Sequence, residues 1–262
     1  GVDVAARADP RNRLGARPRA AFAGLDGLVV VAGHGVITSD FTAVEDNASW
    51  FLEDYQRVPG QAASFVRHIE AGVAAAAADP RSLLLFSGGE TRAAAGPESE
   101  GGTYWKVADL KGWWGHEGVR ARALAEEGAR DSLENLLFSL CRFHEVTGRY
   151  PARVAVVSYD FKRDRFEQHH RRAARFPAGA FRYVGTPAPE AAAAGAREGE
   201  RKTLATFAAD PYGCLTPALV AKREQRDPFA SAGRYVGSCP ELQGLLQHCG
   251  REPYAGPLPW AP

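Results

Sequence analysis

A chain of 262 residues, 45% hydrophobic and 24% charged, has ordinary globular composition and enough apolar material for one large α/β domain or two small ones. Its 32 Lys and Arg residues against 31 Asp and Glu leave a net charge of +1, so no overall field draws it to nucleic acid or a membrane surface. A globally basic nucleic-acid binder is therefore excluded, and no run approaches the ~20 apolar residues of a membrane helix.

The chain starts at Gly1 and contains no methionine. It reads as a fragment or processed form of a soluble domain, cytoplasmic or, if an anchor precedes it, endomembrane-lumenal. Residues 1–24 are rich in Arg, Ala, Gly and Pro without periodicity and read as an irregular leader. "LVVVAG", Leu28 to Gly33, is a continuous apolar run, the pattern of a strand covered on both faces. "SWFLEDYQ" reads as a short helix. In "QAASFVRHIEAGVAAAAADP", Phe65, Ile69 and Val73 recur every four residues, which predicts an amphipathic helix ended at Asp79-Pro80.

"SLLLFSGG" is a second strand, and Ser99 to Leu110 a helix despite its glycines. "ARDSLENLLFSLCRFHEVTG" predicts the clearest helix. Asp131 or Ser132 caps it, Leu133, Leu136, Leu137, Leu140 and Phe143 form one face, and Gly148 stops it. "ARVAVVSYDF" is a third strand from Arg153 to about Ser158, "RDRFEQHHRRAARF" a basic helix, and "AFRYVGTP" a fourth strand broken by Pro187. One more helix is expected near Arg197 to Ala209. Alternating strands and helices predict an α/β fold, a Rossmann-like three-layer sandwich with a mainly parallel sheet over residues 25–209. Residues 210–262, rich in proline and glycine, read as an irregular C-terminal extension packed on that domain.

Of the four cysteines, none forms a CxxC pair, so structural zinc has no support. Cys141 falls on an apolar helix face and reads as a small buried hydrophobe rather than a nucleophile. Cys214, Cys239 and Cys249 lie in the tail, where one disulfide could form, and the redox compartment stays open.

Ligands of parallel sheets bind beyond the carboxyl ends of the strands. Strand one ends in Gly33, His34 and Gly35, strand two in Ser87, Gly88, Gly89 and Glu90, strand three in Ser158 through Asp160 and Lys162 to Arg165. Glycine pairs permit sharp turns, but two glycine-containing ends with polar neighbours favour backbone amides cradling an anion or carboxylate. Neither end matches a dinucleotide fingerprint or a P-loop. His34, flanked by glycines, is as much a turn residue as a site residue. "EEGARDSLEN" gathers Glu126, Glu127, Arg130, Asp131, Ser132, Glu134 and Asn135 around one helix start. Capping explains Asp131, Ser132 and Glu134, whereas Asn135 on an apolar face is expected to lock the glycine turns. Lys162 and Arg165 sit at the strand-to-helix corner, where a cation complements phosphate. No H-x-x-x-H spacing points to a dedicated metal centre, although a substrate-linked divalent cation such as Mg²⁺ is compatible. G-x-S-x-G is absent, so a serine-hydrolase elbow is not expected.

Together "VVVAGHG", "LLLFSGGETR", "EEGARDSLEN" and "VVSYDFKRDRF", in this order from Leu28 to about Pro187, resemble the YdcF/SanA-like domain family, in its eukaryotic branch. The resemblance implies a Rossmann-like sandwich with a cleft formed by these motifs. Bacterial members are associated with S-adenosylmethionine binding in one case and with cell-envelope or lipid-carrier processes in others. Gly33, Gly35, Ser87, Gly88, Gly89, Glu90, Glu126, Asp131, Ser132, Glu134, Asn135 and Arg165 occupy its motif positions. Two departures stand out: His34 replaces a usual glycine or small residue, and Lys162 stands where bacterial members place a histidine. His34 would then be the substitute general base.

Three functions compete at this level. The first is hydrolysis or binding of a phosphate-containing small molecule or lipid head group, with His34, Glu90 and Glu126 as candidate catalytic groups and the cations and amides holding phosphate. The second is a binder of S-adenosylmethionine or another nucleoside ligand, although the G-x-G-x-G strand end usual for methyltransferases is missing. The third is a structural or interaction module whose motif residues merely hold turns together.

Overall fold

The structure, a computed structural model, describes residues 19–230, 235 and 237–261. The leader expected over residues 1–24 lies largely outside these. Its described end, Arg19–Phe22, is a 3-10 turn that buries Phe22 in the core.

β1 (Gly27–Ala32) is followed by a small antiparallel pair, β2 (Val36–Ile37) and β3 (Trp50–Phe51), then by β4 (Ser82–Ser87), β5 (Ala123–Glu126), β6 (Arg153–Tyr159) and β7 (Phe181–Thr186). Among the described residues, β1 and β4 to β7 form one five-stranded sheet in the order β5-β4-β1-β6-β7, every neighbouring pair parallel. The apolar runs alternate faces, as period-two geometry demands. Leu28 and Val30 of β1, Leu83 and Leu85 of β4, and Val154 and Val156 of β6 point to one core. Val29, Val31, Leu84, Phe86, Ala155 and Val157 point to the other.

Helices cover both faces. α1 (Gln61–Ala77) and α2 (Glu100–Leu110) pack on one, through Phe65, Ile69, Val73, Tyr104 and Trp105. The short α3 (Glu117–Arg120) joins them through Val119. α4 (Ser132–Thr147), capped by Asp131 and stopped by left-handed Gly148, packs on the opposite face through Leu133, Leu136, Leu140 and Phe143. Beyond β6 the chain makes a π-helical turn, Arg165–His170, that runs into α5 (Arg171–Ala173), and after β7 comes α6 (Glu190–Ala209).

Several local expectations are corrected. "SWFLEDYQ" is not one helix: two 3-10 turns, Asn47–Ser49 and Asp54–Gln56, flank β3, because Trp50 is buried and its indole N–H donates to the Val44 carbonyl. Glu126 belongs to β5 rather than to a helix start, because the ladder to β4 outweighs the helix propensity of Ala-Leu-Ala-Glu. The basic helix is largely π-helical, and α6 begins seven residues earlier than expected.

The C-terminal extension carries α7 (Pro217–Gln225) and α8 (Gln243–Leu246). Tyr212, Leu219, Leu242, Leu245 and Leu258 enter the same core as α4, so this segment is part of the fold rather than an irregular wrapping. Two disulfides tie it down: Cys141 of α4 to Cys239, and Cys214 to Cys249. Cys141 is buried as expected, but as half of a cross-link, and the tail holds both halves of only one bridge. Replacing Cys141 and Cys239 together by Ser is expected to lower unfolding stability by about 2–5 kcal/mol in denaturant titration. Unchanged stability would show that the bridge does not tether the extension.

Candidate functional site

The chain leaves β1 towards β4 and β5 on one side, then returns across the sheet to β6 and β7 on the other. Connections therefore diverge between β1 and β6, the switch point where open α/β sheets leave a crevice. A cavity of about 570 Å³ lies there, a size suited to a small-molecule ligand. Its walls come from the β1 end, the start of α4, the β6 end, α6 and α7.

At the switch point His34 Nε2 lies 3.0 Å from Ser158 Oγ and 3.5 Å from Lys162 Nζ, across 124 and 128 residues of sequence. The imidazole stacks on Tyr159, with ring centroids 5.0 Å apart and planes 4° from parallel. The Tyr159 hydroxyl is held in turn by Gln61 at 2.6 Å and Ser64 at 2.8 Å. Burial, then the nearby Lys162 charge and His68, hold the His34 pKa well below its ordinary value. His34 is thus a neutral imidazole at physiological pH and a weaker base than a free one.

The glycine-rich ends serve packing. A Cβ on Gly33 would lie 2.6 Å from Glu100 Cβ, and one on Gly101 would lie 2.4 Å from the Phe86 carbonyl oxygen. These absences let the N-terminus of α2 sit directly on the ends of β1 and β4. The amides expected to cradle an anion are already committed: Gly33 N–H donates to the Ser87 carbonyl, Gly88 N–H to Glu126 and Gly89 N–H to Ala129. At α2 itself, the Glu100 and Gly101 amides donate to the carbonyls of Gly89 and Gly88.

Glu126 is fully buried and does not line the cavity. Its carboxylate accepts from Ser87 Oγ at 2.6 Å, Gly128 N–H at 2.6 Å and the Tyr235 hydroxyl at 3.0 Å. Asn135 donates from Nδ2 to the Ser87 carbonyl at 3.0 Å and to its hydroxyl at 2.9 Å. Ser87 is therefore the hub of a buried network rather than a ligand contact. Gly35, Gly88, Gly89, Glu90 and Asp160 likewise lie off the cavity wall.

Cations carry the electrostatics. Among the described residues, Arg92, Arg130, Lys162, Arg165, Lys222 and Arg226 line the cavity against Glu100, Asp131 and Glu200. Arg165 pairs with Glu200, and Arg92 lies 3.1 Å from Glu53 and 3.7 Å from Glu100. Arg130 bonds Glu134 at 2.6 Å, while Arg223 bonds Asp131 at 2.6 Å. Burial would raise the Asp131 carboxyl, but Arg223 and the helix-start amides bring it down to about 2. Burial pushes Glu134 up against the pull of Arg130. Lys162, Lys222 and Arg226 make no ion pair among the described residues. Burial, then repulsion from Arg165, lowers Lys162 to about 7, and burial with Arg226 lowers Lys222 to about 8.

Gly33, His34, Arg130, Asp131, Ser132, Asn135, Ser158, Lys162 and Arg165 thus meet at one cavity, as strand-end clustering implies. Sequence reasoning missed Lys222 and Arg226 on α7, Arg92, Glu100, Glu200 and the aromatic floor of Tyr159 and Phe161. Only the i,i+4 spacing of Lys222 and Arg226 was readable, and nothing in it pointed to a cavity 60 residues earlier. Ser132 Oγ also lies 2.7 Å from Nε2 of buried His170, a partner that no local spacing reveals. No group of three or more His, Cys, Asp or Glu side chains among the described residues is arranged to hold a metal ion. No helix among them is long and apolar enough to cross a membrane.

A protein of Saccharomyces cerevisiae described only as uncharacterized is 27% identical to this chain over 122 residues. The match covers 42% of this chain and 40% of the yeast protein, so the chain spans about two fifths of its relative's length. No family model matches the chain, and no solved structure matches it.

An enclosed cation that has lost part of its affinity for protons opposes folding while it is charged. Lys162 is depressed from 10.5 to about 7 in the fold, so the unfolded chain holds more protons between those values and stability rises with pH across that window. Lys162→Met should therefore raise the ligand-free melting temperature, with the gap to the wild type widest near pH 6 and narrowing towards pH 10. A gap independent of pH would refute this electrostatic cost.

Proposed function

We propose that the chain binds a phosphate-containing small molecule or lipid head group and hydrolyses its phosphoester or pyrophosphate bond. The observation that carries this reading is the convergence of three cations without ion pairs among the described residues, Lys162, Lys222 and Arg226, on one cavity beside neutral His34. An excess of enclosed positive charge is costly until an anion arrives, which favours multiply charged phosphate over neutral ligands. S-adenosylmethionine fits less well, because its sulfonium adds one more cation. A module held together purely by turns would have filled the cleft with side chains.

In this scheme Arg165, Lys222 and Arg226 hold the phosphoryl oxygens. A water attacks phosphorus while His34 Nε2 takes its proton, the scissile P–O bond breaks, and the leaving oxygen keeps the bonding electrons until it is protonated. The four ordered motifs that resemble the YdcF/SanA-like family support the placement of the cleft. The cross-links Cys141–Cys239 and Cys214–Cys249 support an oxidising compartment, hence a lumenal or extracellular setting.

Calorimetry with pyrophosphate tests the binding. Affinity should fall about tenfold or more from pH 6.5 to 9, because protonated Lys162 and Lys222 bind the anion and lose their charge through about 7 and about 8. Lys222→Ala and Arg226→Ala should each weaken binding about tenfold or more. Absence of heat from folded protein, or affinity insensitive to these changes, sinks the reading. Phosphate release from p-nitrophenyl phosphate or pyrophosphate should drop at least 100-fold in His34→Ala with binding retained.

A further inference from the structure

We infer that Lys162 is a nucleophilic amine and that the ligand is a phosphorylated aldehyde or ketone, captured as an imine on Lys162 Nζ. The inference rests on the anion-binding reading of the same cavity and names the class of ligand it serves.

Four features converge on this amine. Lys162 lines the cavity, and its Nζ has no carboxylate partner among the described residues to hold it as an ion-paired ammonium. His34 Nε2 stands 3.5 Å away as an acceptor for its proton. Arg165, Lys222 and Arg226 also line the cavity, so charge for phosphate remains when the Lys162 amine is in its neutral form. Beneath it, Tyr159 and Phe161 stack with centroids 5.2 Å apart and planes 13° from parallel, and Nζ lies 5.6 and 5.9 Å from their ring centres. These aromatic edges give the amine apolar surroundings. A pKa held down to about 7 keeps a large fraction of the amine neutral at physiological pH, the form that attacks carbonyl carbon.

The chemistry balances without an added oxidant or reductant. The nitrogen lone pair forms the C–N bond, and the carbonyl electron pair moves to oxygen, which takes a proton passed from nitrogen by way of His34. The hydroxyl then leaves with the second amine proton as water, and the nitrogen lone pair closes the C=N bond.

Pyridoxal 5′-phosphate is a suitable probe, with sodium cyanoborohydride to trap the imine and peptide mass mapping to locate it. Expected is one adduct per chain, at Lys162, suppressed at least tenfold by excess pyrophosphate. Pyridoxal, which lacks the phosphate, should label this lysine at least tenfold more slowly. Lys162→Arg, checked by circular dichroism for an unchanged fold, keeps the charge and should lose the adduct. A Lys222→Arg variant should still be labelled at Lys162. Labelling confined to Lys222 or surface lysines such as Lys106 and Lys202 overturns the inference. If Lys162 is not labelled but pyridoxamine 5′-phosphate, which has no carbonyl, binds in calorimetry, only the imine fails and the anion site stands. If neither compound binds, both readings fall together.

Discussion

A parallel sheet covered on both faces leaves its polar chemistry only one place to go, the strand ends. That constraint organises this molecule. Leu28 to Ala32, Leu83 to Phe86 and Val154 to Val157 are almost wholly buried, so no ligand can approach the sheet through its faces. The order β5-β4-β1-β6-β7 then decides which ends matter. Between β1 and β6 the flanking connections part, and His34, Ser158, Tyr159 and Lys162 share that gap. On the β4 and β5 side no gap opens, and the equivalent polar residues turn inward. Ser87, Glu126 and Asn135 become a hydrogen-bonded clasp, satisfied by one another and by Tyr235 from the extension.

Glycine has a related part in this division. Gly33, Gly88 and Gly101 let α2 sit close against the sheet, while the Gly33 and Gly88 amides donate to strand carbonyls of Ser87 and Glu126 and the Gly101 amide to that of Gly88. A motif that in other folds offers N–H groups to phosphate is here sealed by a helix. In the proposed site, anion recognition falls to long side chains instead: Lys162 and Arg165 after β6, Arg130 ahead of α4, and Lys222 and Arg226 at the end of α7 line the cavity. The apolar alternatives on the opposite wall, Ala191, Ala192 and Ala196 of α6, keep the space open.

Much of the frame was legible in the sequence. Continuous apolar runs named β1, β4 and β6, and the leucine periodicity with a cap at Asp131 or Ser132 and a stop at Gly148 bounded α4 closely, since these signals are local. β5 was not legible, because four residues of Ala-Leu-Ala-Glu are too few to show period two and are good helix formers besides. The strand ends, once assumed parallel, brought His34, Ser158, Lys162 and Arg165 together correctly in space. Their roles were less readable. Whether Gly88 N–H faces a ligand depends on how the end of β5 pairs beside it, and whether Glu126 is a reagent or a clasp depends on Tyr235, more than 100 residues away. Lys222 and Arg226 lay in a segment whose proline and glycine content spoke only of irregularity.

The position of α7 has a consequence for the order of events. Lys222 and, just past the helix end, Arg226 complete one wall of the cavity, yet they follow the last sheet strand by more than 30 residues, and α7 lies within the loop closed by Cys214 and Cys249. During synthesis the sheet and its helices can assemble first, with the crevice unroofed. Lys222 and Arg226 join that wall only once the tail has emerged. The proposed site is thus completed last, by a segment that two disulfides tie to the rest of the fold.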